Sequence, residues 1–355
     1  FTQQIFPHFL GVDIGTTSVK IAEVREGSKR PAVVNYGFLE SSAYLAHDNR
    51  ALQTSSLKLF DKEVAELLAL LVKRTKIRAR EALVSLPIFS SFRTVLDFPE
   101  MSDEEISKNI TFQAKQYVPL PVSEVVLEWS KVGTYDDEKG RRHHQVFLIA
   151  VPQEQIQKYR RIIESAGLHL RALEMESVSL ARILVGTDPS PAIIVDVGSR
   201  STGITFVEKG HVKLASQSDF AGASLTQALS SSLNINPRRA EELKREKGVV
   251  GGGVDYELST IILPFLDVII NEVKKASFNY ASQFPLASKP ERVILTGGGA
   301  NLKGIDRYFK RELDVPVVRA APFTKFSYPP LLEPLVQDLN PLLGVSLGLA
   351  LQEFA

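Results

Sequence analysis

Apolar and polar positions alternate along the chain with two periods, one typical of strands and one typical of helices. A helical stripe of apolar residues runs from about Asp61 to Val72, and an apolar run from Ala82 to Leu86 predicts a strand after it. The second half repeats this order, with a long helix from about Leu258 to Phe284, a strand from Arg292 to Leu295 and a last helix from Pro341 to Gln352. Strands and helices that alternate in this way predict an α/β architecture.

An internal repeat relates the two halves of the chain. The segment Val12–Ser18 returns as Val195–Ser201, and the match continues without a gap to Gly27 and Gly210. Seven of the 16 aligned positions are identical. Each copy predicts an apolar strand, an Asp-x-Gly turn with small hydroxyl residues, and a second strand. The repeat therefore predicts two similarly built halves that face each other.

A different pattern occupies the stretch from Phe92 to about Leu168, where strand, helix, strand, strand and helix follow one another. Its first helix begins with a capping box, in which Ser102 accepts a bond from the third helical amide and Glu105 reaches back. Pro119 is expected to stop that helix, and Asp136–His144 is expected to form the tip of a hairpin. The stretch predicts a compact subdomain inserted between the two copies of the repeat.

The repeated turns offer the chemistry of a phosphate site. Glycine permits backbone angles that aim successive amides inward, and the neighbouring hydroxyls add donors. Lys20 extends a cation from the next strand, and Asp13 can hold Mg²⁺ through water, because Mg²⁺ retains part of its hydration shell. One copy alone would favour a plain hairpin with an Asx-type turn. Two copies that bring Asp13 and Asp196 together favour a triphosphate with its metal.

A third glycine-rich turn, Gly297–Gly299, follows the strand that ends at Leu295. A backbone without side chains lets a flat ring or a ribose lie against it. Glycine-rich turns between a strand and a helix are also common packing devices, so this motif alone is weak evidence for a nucleotide.

Composition and charge narrow the classes of function. The 355 residues are 44% hydrophobic and 23% charged, which is typical of a folded globular protein. The net charge of +1 gives no global attraction to nucleic acid, and the basic run Lys73–Arg80 lacks interleaved aromatic residues. Cysteine is absent, which excludes disulfides and fits the cytoplasm. No apolar stretch reaches the roughly 18 to 20 residues of a membrane span. The chain begins at Phe1 without Met, so a few native residues are expected to precede it.

The two Asp-x-Gly hairpins and the triple-glycine turn, in this order and separation, resemble the two phosphate motifs and the adenosine motif of the actin-like ATPase superfamily. Within that superfamily the chain most closely resembles the PilM family of type IV pilus assembly, over nearly its whole length. The segments Met101–Glu105, Gln116–Pro121 and Glu124–Trp129 are similar to the pattern of the small subdomain that this family shares with FtsA.

The resemblance implies an α/β, actin-like two-lobed ATPase fold, with duplicated mixed-sheet halves, flanking helices and a small inserted FtsA-type α+β subdomain. It implies a first lobe of residues 1–91 and 169–190 (subdomain 1A), an insertion of residues 92–168 (1C) and a second lobe of residues 191–355 (2A). A smaller part of the second lobe (2B) is expected at about 216–258, and the last helix is expected to pack at the lobe interface.

The same resemblance implies roles for individual residues. Asp13 and Asp196 would flank Mg²⁺, mostly through water, and Glu176 would orient the attacking water, with Glu174 as a competing candidate. Ser177 departs from the proline of the kinase-like pattern at this point. The residues implied to bind ATP are Gly15, Thr16, Thr17, Ser18, Lys20, Gly198, Ser199, Ser201, Thr202, Gly222, Glu241, Lys244, Gly297, Gly298, Gly299 and Asn301. Without the resemblance, the pair Glu241 and Lys244 would be interpreted as an exposed ion pair of a helix.

The resemblance further implies a cytoplasmic, ATP-binding component of pilus assembly that turns ATP over slowly and uses it as a conformational ligand. The short cytoplasmic N-terminus of a PilN-like inner-membrane protein would lie in a groove beside the inserted subdomain and recruit the chain to the membrane. No nucleic acid and no direct membrane insertion are expected, while self-association and other pilus components stay open. The candidate peptide-binding residues are Phe92, Ile106, Ile110 and Tyr117, and each could equally belong to the core of the subdomain.

Three other functions are compatible with the motifs. A small-molecule kinase would share the hairpins, but the sequence shows no acceptor site. An FtsA-like cell-division protein would form filaments with nucleotide. A scaffold that has lost nucleotide binding would retain the fold, although intact Asp13, Lys20 and Asp196 argue against it.

Overall fold

The computed structural model describes residues 7–40, 61–249 and 255–354. Residues 41–60 of the predicted first lobe and residues 250–254 of the predicted region 2B therefore lie outside the described residues. Among the helices that are described, none is long and apolar enough to span a membrane.

The described residues form thirteen strands and ten α-helices. The strands are, in chain order, β1 (His8–Ile14), β2 (Ser18–Arg25), β3 (Ala32–Glu40), β4 (Glu81–Leu86), β5 (Phe92–Pro99), β6 (Val125–Asp136), β7 (Arg142–Pro152), β8 (His169–Met175), β9 (Ala192–Val197), β10 (Thr202–Glu208), β11 (His211–Ser218), β12 (Arg292–Thr296) and β13 (Val317–Arg319). The helices are α1 (Asp61–Thr75), α2 (Asp103–Ala114), α3 (Gln153–Ser165), α4 (Glu176–Leu184), α5 (Gly222–Leu233), α6 (Pro237–Lys247), α7 (Asp255–Gln283), α8 (Ile305–Leu313), α9 (Glu333–Leu342) and α10 (Gly344–Leu351).

Two five-stranded sheets have the same internal order. The first runs β3-β2-β1-β4-β8 and the second runs β11-β10-β9-β12-β13. In each, an antiparallel three-stranded meander is extended by strands parallel to its first strand. Strand β9 therefore corresponds to β1, and β10 to β2. This correspondence confirms the two similarly built halves that the internal repeat predicts, which are called lobe 1 and lobe 2 below.

The central strand β1 is apolar because both of its faces are covered. Leu10, Val12 and Ile14 belong to the core between the first sheet and α1 and α3. On the other face, Ala22 and Val24 of the neighbouring strand β2 belong to a core that includes α10. Strands covered on both faces lose the alternating pattern, and the apolar run before Asp13 reflects that burial.

The third sheet, β5-β7-β6, is antiparallel and carries α2 on one face. The capping box predicted at the start of α2 is present. The Ser102 side chain accepts from the Glu105 amide, and Glu105 Oε2 accepts from the Ser102 amide at 2.8 Å. Helix α2 ends at Ala114, before the predicted stop at Pro119. The loop between β6 and β7 comprises residues 137–141, so it is shorter than the predicted hairpin tip Asp136–His144. We call β5, α2, β6 and β7 the inserted subdomain.

Helix α3, which lies within the predicted insertion, packs on lobe 1. Its buried residues Tyr159, Ile162 and Ile163 share a core with Leu68 of α1, and α3 also contacts β8. By these contacts, α3 belongs with the first sheet, and the three-stranded sheet with α2 forms the separate layer.

The predicted last helix, Pro341–Gln352, is observed as α10, which begins at Gly344, and the helix α9 that precedes it was not predicted. The Pro341 carbonyl accepts bonds from the Gly297 amide at 2.9 Å and from the Thr296 hydroxyl at 3.2 Å. These bonds from lobe 2 lie next to the break between α9 and α10 at Leu343. Helix α9 contacts β12 of lobe 2, whereas α10 packs on β1 and α4 of lobe 1, so the end of the chain connects the two lobes.

Candidate nucleotide site between the lobes

The two repeated turns are closed by the same hydrogen bond. The Gly15 amide donates to the Ser18 carbonyl at 2.9 Å, and the Gly198 amide donates to the Ser201 carbonyl at 3.0 Å. A Cβ at Gly198 would lie 2.8 Å from the Ser201 oxygen, and a Cβ at Gly15 would lie 3.2 Å from the Ser18 oxygen. A side chain at Gly198 would therefore force this turn to shift, whereas one at Gly15 would need a smaller adjustment.

Asp13 lies at the end of β1, buried, and both of its oxygens are bonded. Lys20 Nζ donates to Oδ2 at 2.9 Å, and Ser85 Oγ donates to Oδ1 at 3.0 Å. Ser85 also accepts from the Ile14 amide at 3.2 Å. Residues of β1, β2 and β4 thus hold the Asp13 carboxylate in place. Ser85 was not predicted from the sequence, because its only signal is a hydroxyl inside an otherwise apolar strand.

Three carboxylates and one ammonium group share the site. Burial disfavours the charge on Lys20, but Asp13, Asp196 and Glu176 outweigh it and raise the pKa of Lys20. Burial also raises the pKa of Asp196. Lys20 opposes this increase, and Asp13 adds to it. Burial, Asp196 and Asp13 together raise the pKa of Glu176. Burial and mutual repulsion therefore disfavour the ionised forms of Asp196 and Glu176, and a cation bound beside them would favour those forms.

Glu176 and Glu174 have different surroundings. Glu176 Oε1 accepts from the Ile88 amide at 3.2 Å, and this carboxylate lies close enough to Asp13 and Asp196 to interact with them. Glu174 instead forms an ion pair with Arg182. Of the two candidates for orienting a water molecule, Glu176 is the one at the phosphate hairpins.

The donor set suits Mg²⁺ in the manner of nucleotide sites. In the part of the chain that the structure describes, no three His, Asp or Glu side chains are placed to hold a metal ion by themselves. Mg²⁺ is usually bound by one or two carboxylates together with water and substrate phosphates. Asp13 and Asp196 fit that role, and a bound ion would supply charge compensation for phosphate oxygens.

Helices α5 and α6 build a second cluster around Glu241. Its Oε2 accepts from Lys244 Nζ at 2.6 Å and from the Thr226 hydroxyl. Lys244 Nζ also donates to the Gly222 carbonyl at 2.9 Å. Each side chain of the Glu241–Lys244 pair is only 11% exposed. Burial lowers the pKa of Lys244 despite this carboxylate. The alternative of an exposed ion pair is therefore wrong.

Arg245 connects this cluster to lobe 1. Its Nε donates to Glu241 Oε1 at 2.7 Å, and its terminal nitrogen donates to Glu40 at the end of β3 at 3.0 Å. The sequence analysis did not single out Arg245 or Glu40, because an ion pair 205 positions apart leaves no local pattern.

The triple-glycine turn lies against the end of β9. Gly297 has a φ of 81°, and a Cβ there would lie 2.2 Å from Asp196 Oδ1. A Cβ at Gly299 would lie 2.4 Å from Val197 Cγ1. Packing alone therefore requires these two glycines. A Cβ at Gly298 would have Leu342 Cδ1 at 3.8 Å as its nearest neighbour, so this position has room.

Several predicted nucleotide-binding residues have structural bonds instead. The buried Thr202 hydroxyl donates to the Phe220 carbonyl at 2.7 Å. The side-chain amide of Asn301 donates from Nδ2 to the Asp338 carbonyl at 2.9 Å. Thr17 is buried, and Thr16 is exposed on the same turn.

The second phosphate turn is also tied to the start of α5. The Gly222 amide donates to the Gly198 carbonyl at 3.1 Å, and the Ala223 amide donates to the Ser199 carbonyl at 2.7 Å. These bonds connect the predicted phosphate residues Gly198, Ser199 and Ser201 to the helix that carries Thr226.

The four candidate peptide-binding residues differ in exposure. Ile106 and Ile110 are buried in the core of the inserted subdomain, and Phe92 packs against that core from its edge. Tyr117 is 53% exposed. The contacts of Ile106 and Ile110 favour the alternative that they belong to the core.

The duplicated sheets, the paired Asp-x-Gly hairpins and the glycine turn against β9 define an actin-like, two-lobed α/β fold. Solved structures show the same fold. A PilM–PilN type IV pilus biogenesis complex matches with a TM-score of 0.80, 22% identity and 98% coverage of both chains. MreB 5 of Spiroplasma citri bound to AMPPNP matches with a TM-score of 0.56 and 14% identity, covering 98% of this chain and 96% of that one.

The family profile described as type IV pilus assembly protein PilM matches residues 11–354, and the chain belongs to that family. Among curated proteins, cell division protein FtsA of Enterococcus hirae is 22% identical over 337 residues, which cover 84% of this chain and 74% of the relative. The family resemblance inferred from the hairpins and the inserted subdomain is thereby confirmed.

Proposed function

We propose that this pilus assembly protein binds Mg-ATP between the two phosphate hairpins. The observation that carries the proposal is the buried Asp13, bonded to Lys20 and Ser85 and grouped with Asp196 and Glu176. Buried groups with perturbed pKa values cluster at functional sites, because their desolvation is otherwise a cost without a return. The magnesium ion would compensate the carboxylates, and the triphosphate would give Lys20 a phosphate partner.

The proposed partner is the N-terminal cytoplasmic peptide of a PilN-like inner-membrane protein. Membership of the PilM family and the similarity to a solved PilM–PilN complex support it. The chain would be cytoplasmic and peripheral at the inner membrane through this partner. Exposed Tyr117 and edge-packed Phe92 are the better candidates for the peptide contact than the buried isoleucines.

Calorimetry with Mg-ATP on the unaltered chain and on Asp13→Ala and Asp196→Ala tests the nucleotide site. Asp136→Ala is the matched control, since it removes a carboxylate from the exposed hairpin of the inserted subdomain. Micromolar binding should be lost in the first two variants and retained in the control. A folded, nucleotide-stripped chain that binds no ATP would leave peptide docking as the function.

Slow hydrolysis is a second proposed activity, and the position of Glu176 beside both aspartates favours it. The ionised carboxylate can orient a water molecule, and it needs charge compensation to remain ionised there. Phosphate release should fall at least about tenfold in Glu176→Gln, in line with the loss of an acid–base group. Equal release in both forms would exclude this role.

An FtsA-like filament function is the alternative within the same fold. Sedimentation of the chain with Mg-AMPPNP, without any partner, separates the two. Pelleted polymer would favour the filament, and a chain that stays in the supernatant while it binds peptide would favour the adaptor.

A further inference from the structure

The connection from lobe 1 into the inserted subdomain, residues 87–91, contacts the candidate nucleotide site directly. We call it the bridge. It follows β4 and contains the short 3₁₀ turn Ile88–Ser90. The Ile88 amide donates to Glu176 Oε1 at 3.2 Å. A carboxylate of the phosphate site therefore holds the backbone of the bridge from one side.

The side chain of Ile88 extends this contact to lobe 2. Ile88 is buried, and its Cδ1 lies 3.2 Å from the place that a Cβ would occupy on Gly203 of β10. Gly203 is paired with Asp196 in the register of β9 and β10. The absent side chain of Gly203 makes room for Ile88 beside the second predicted metal carboxylate. One residue of the bridge thus contacts both halves of the site.

Arg93, at the start of the inserted subdomain, forms hydrogen bonds with the backbone of the bridge. Its terminal nitrogen donates to the Ile88 carbonyl and, at 2.9 Å, to the Ser91 carbonyl. Burial lowers the pKa of Arg93, and Glu176 opposes that change. Within the described residues, Arg93 Nε is buried without a hydrogen-bond partner. Buried polar groups are nearly always satisfied, so this donor favours a segment with a second bonding arrangement.

The far side of the inserted subdomain is attached to lobe 2. Lys213 of β11, buried beside Glu208, donates to the Val132 carbonyl of β6. Gln145 of β7 donates to the Gln283 carbonyl at the end of α7 at 3.1 Å. The subdomain is therefore joined covalently to lobe 1 through the bridge and through the connection from β7 to α3, and by hydrogen bonds to lobe 2. A change in the angle between the lobes must alter at least one of these attachments.

We infer that the bridge couples the nucleotide site to the inserted subdomain, with Glu176 and Arg93 as the positioning residues at its two ends. A nucleotide with its metal changes the charge that faces Glu176, and the bond from Ile88 responds because the same carboxylate takes part in both. Arg93 passes the displacement to β5, and the partner-binding surface changes with it. This inference rests on the proposed function, since it requires both a nucleotide and a peptide ligand.

The test measures the affinity of a synthetic peptide, the cytoplasmic N-terminus of the PilN-like protein from the same organism, with and without Mg-AMPPNP. In the unaltered chain the two affinities should differ by about fivefold or more, as coupled sites usually do. Glu176→Gln keeps an oxygen that can accept from the Ile88 amide but removes the charge on which the metal acts, so it should reduce the difference in affinity together with phosphate release. Glu176→Ala removes that acceptor and should bring the two affinities within about twofold of each other.

Arg93→Met removes the hydrogen bonds from Arg93 to the Ile88 and Ser91 carbonyls of the bridge. It should abolish the difference in peptide affinity while Mg-AMPPNP still binds, and Arg160→Met, on the exposed side of α3, should change neither. A coupling that survives in both Glu176→Ala and Arg93→Met overturns the inference and leaves the proposed function intact. A chain that binds no nucleotide or no peptide overturns the proposed function itself. If the unaltered chain binds both ligands but Mg-AMPPNP does not change its affinity for the peptide, only the inference is overturned.

Hydrogen exchange on the unaltered chain gives a result that does not depend on how the variants fold. Mg-AMPPNP should change the protection of the bridge amides and of α2, in addition to the phosphate turns. Protection that changes only at the phosphate turns would contradict the inference.

Discussion

Replacement of Lys20 by methionine tests whether the phosphate site is also a buried ion pair. Lys20 Nζ lies 2.9 Å from Asp13 Oδ2, and the two side chains are 15% and 7% exposed. With an effective dielectric of about 20, Coulomb's law gives roughly 6 kcal/mol for that separation before desolvation is subtracted. Removing one partner of a buried pair leaves the other charge uncompensated, which typically costs about 3–5 kcal/mol. We expect Lys20→Met to lower the free energy of unfolding by that amount.

Urea unfolding of the nucleotide-free chain at neutral pH measures this loss. Lys62→Met is the control, because Lys62 is a fully solvated lysine of α1 and should cost less than about 0.5 kcal/mol. A double-mutant cycle with Asp13→Asn isolates the pair, since asparagine retains an oxygen for the Ser85 hydroxyl. A coupling energy near zero, or equal losses in the two lysine variants, would refute the buried pair and with it the charge balance of the site.

Three further predictions concern the site and its frame. Because burial raises the pKa of Glu176, its ionised form destabilises the folded chain increasingly as pH rises above the ordinary carboxyl range. Glu176→Gln should therefore raise the midpoint of thermal unfolding near pH 8 and leave it almost unchanged near pH 4.5, and equal shifts at both would contradict this. Gly297→Ala should displace Asp196 and weaken Mg-ATP binding about tenfold or more in calorimetry, at a cost of about 2 kcal/mol or more in stability, whereas Gly298→Ala should fold normally. Gly11→Ala, whose methyl would lie 1.8 Å from a carbonyl oxygen of α10, should cost about 3 kcal/mol or more in urea unfolding, and a loss below about 1 kcal/mol would mean that α10 can move away.

The sequence predicts the parts of the fold that local pattern and repetition determine. The register of Val12 on Val195 predicts two halves, and the sheets have the same strand order. The capping box at Ser102 predicts the start of α2, because the two bonds that define it lie within four residues. Local rules fail where distant segments compete for one group. The predicted last helix begins at Gly344 instead of Pro341, whose carbonyl is bonded to the Gly297 amide, 44 positions earlier in the chain.

The candidate site shows the same division between local and distant determinants. Asp13, Lys20 and Asp196 can be selected from the repeated turns alone, and the structure brings their charges together. Ser85 and Arg245 could not be selected, because each acts through a residue far away in the sequence. Thr202 matched its motif, but its hydroxyl is bonded to the Phe220 carbonyl. A motif identifies the backbone turn more reliably than it identifies which hydroxyl is free.

The charges at the site favour a nucleotide that works as a conformational ligand. Burial and repulsion among Asp13, Asp196 and Glu176 disfavour their ionised forms, as the raised pKa values of Asp196 and Glu176 indicate. The Mg²⁺ bound with a nucleotide would offset this repulsion, so the nucleotide would bind the arrangement that presents the carboxylates to the metal more tightly than other arrangements. At a concentration of 100 times its dissociation constant, it stabilises that arrangement by about 2.7 kcal/mol. This exceeds the roughly 1.4 kcal/mol needed for a tenfold change in a partner's affinity. If the proposed coupling holds, binding alone would suffice to switch the inserted subdomain, and hydrolysis would serve only to reset it.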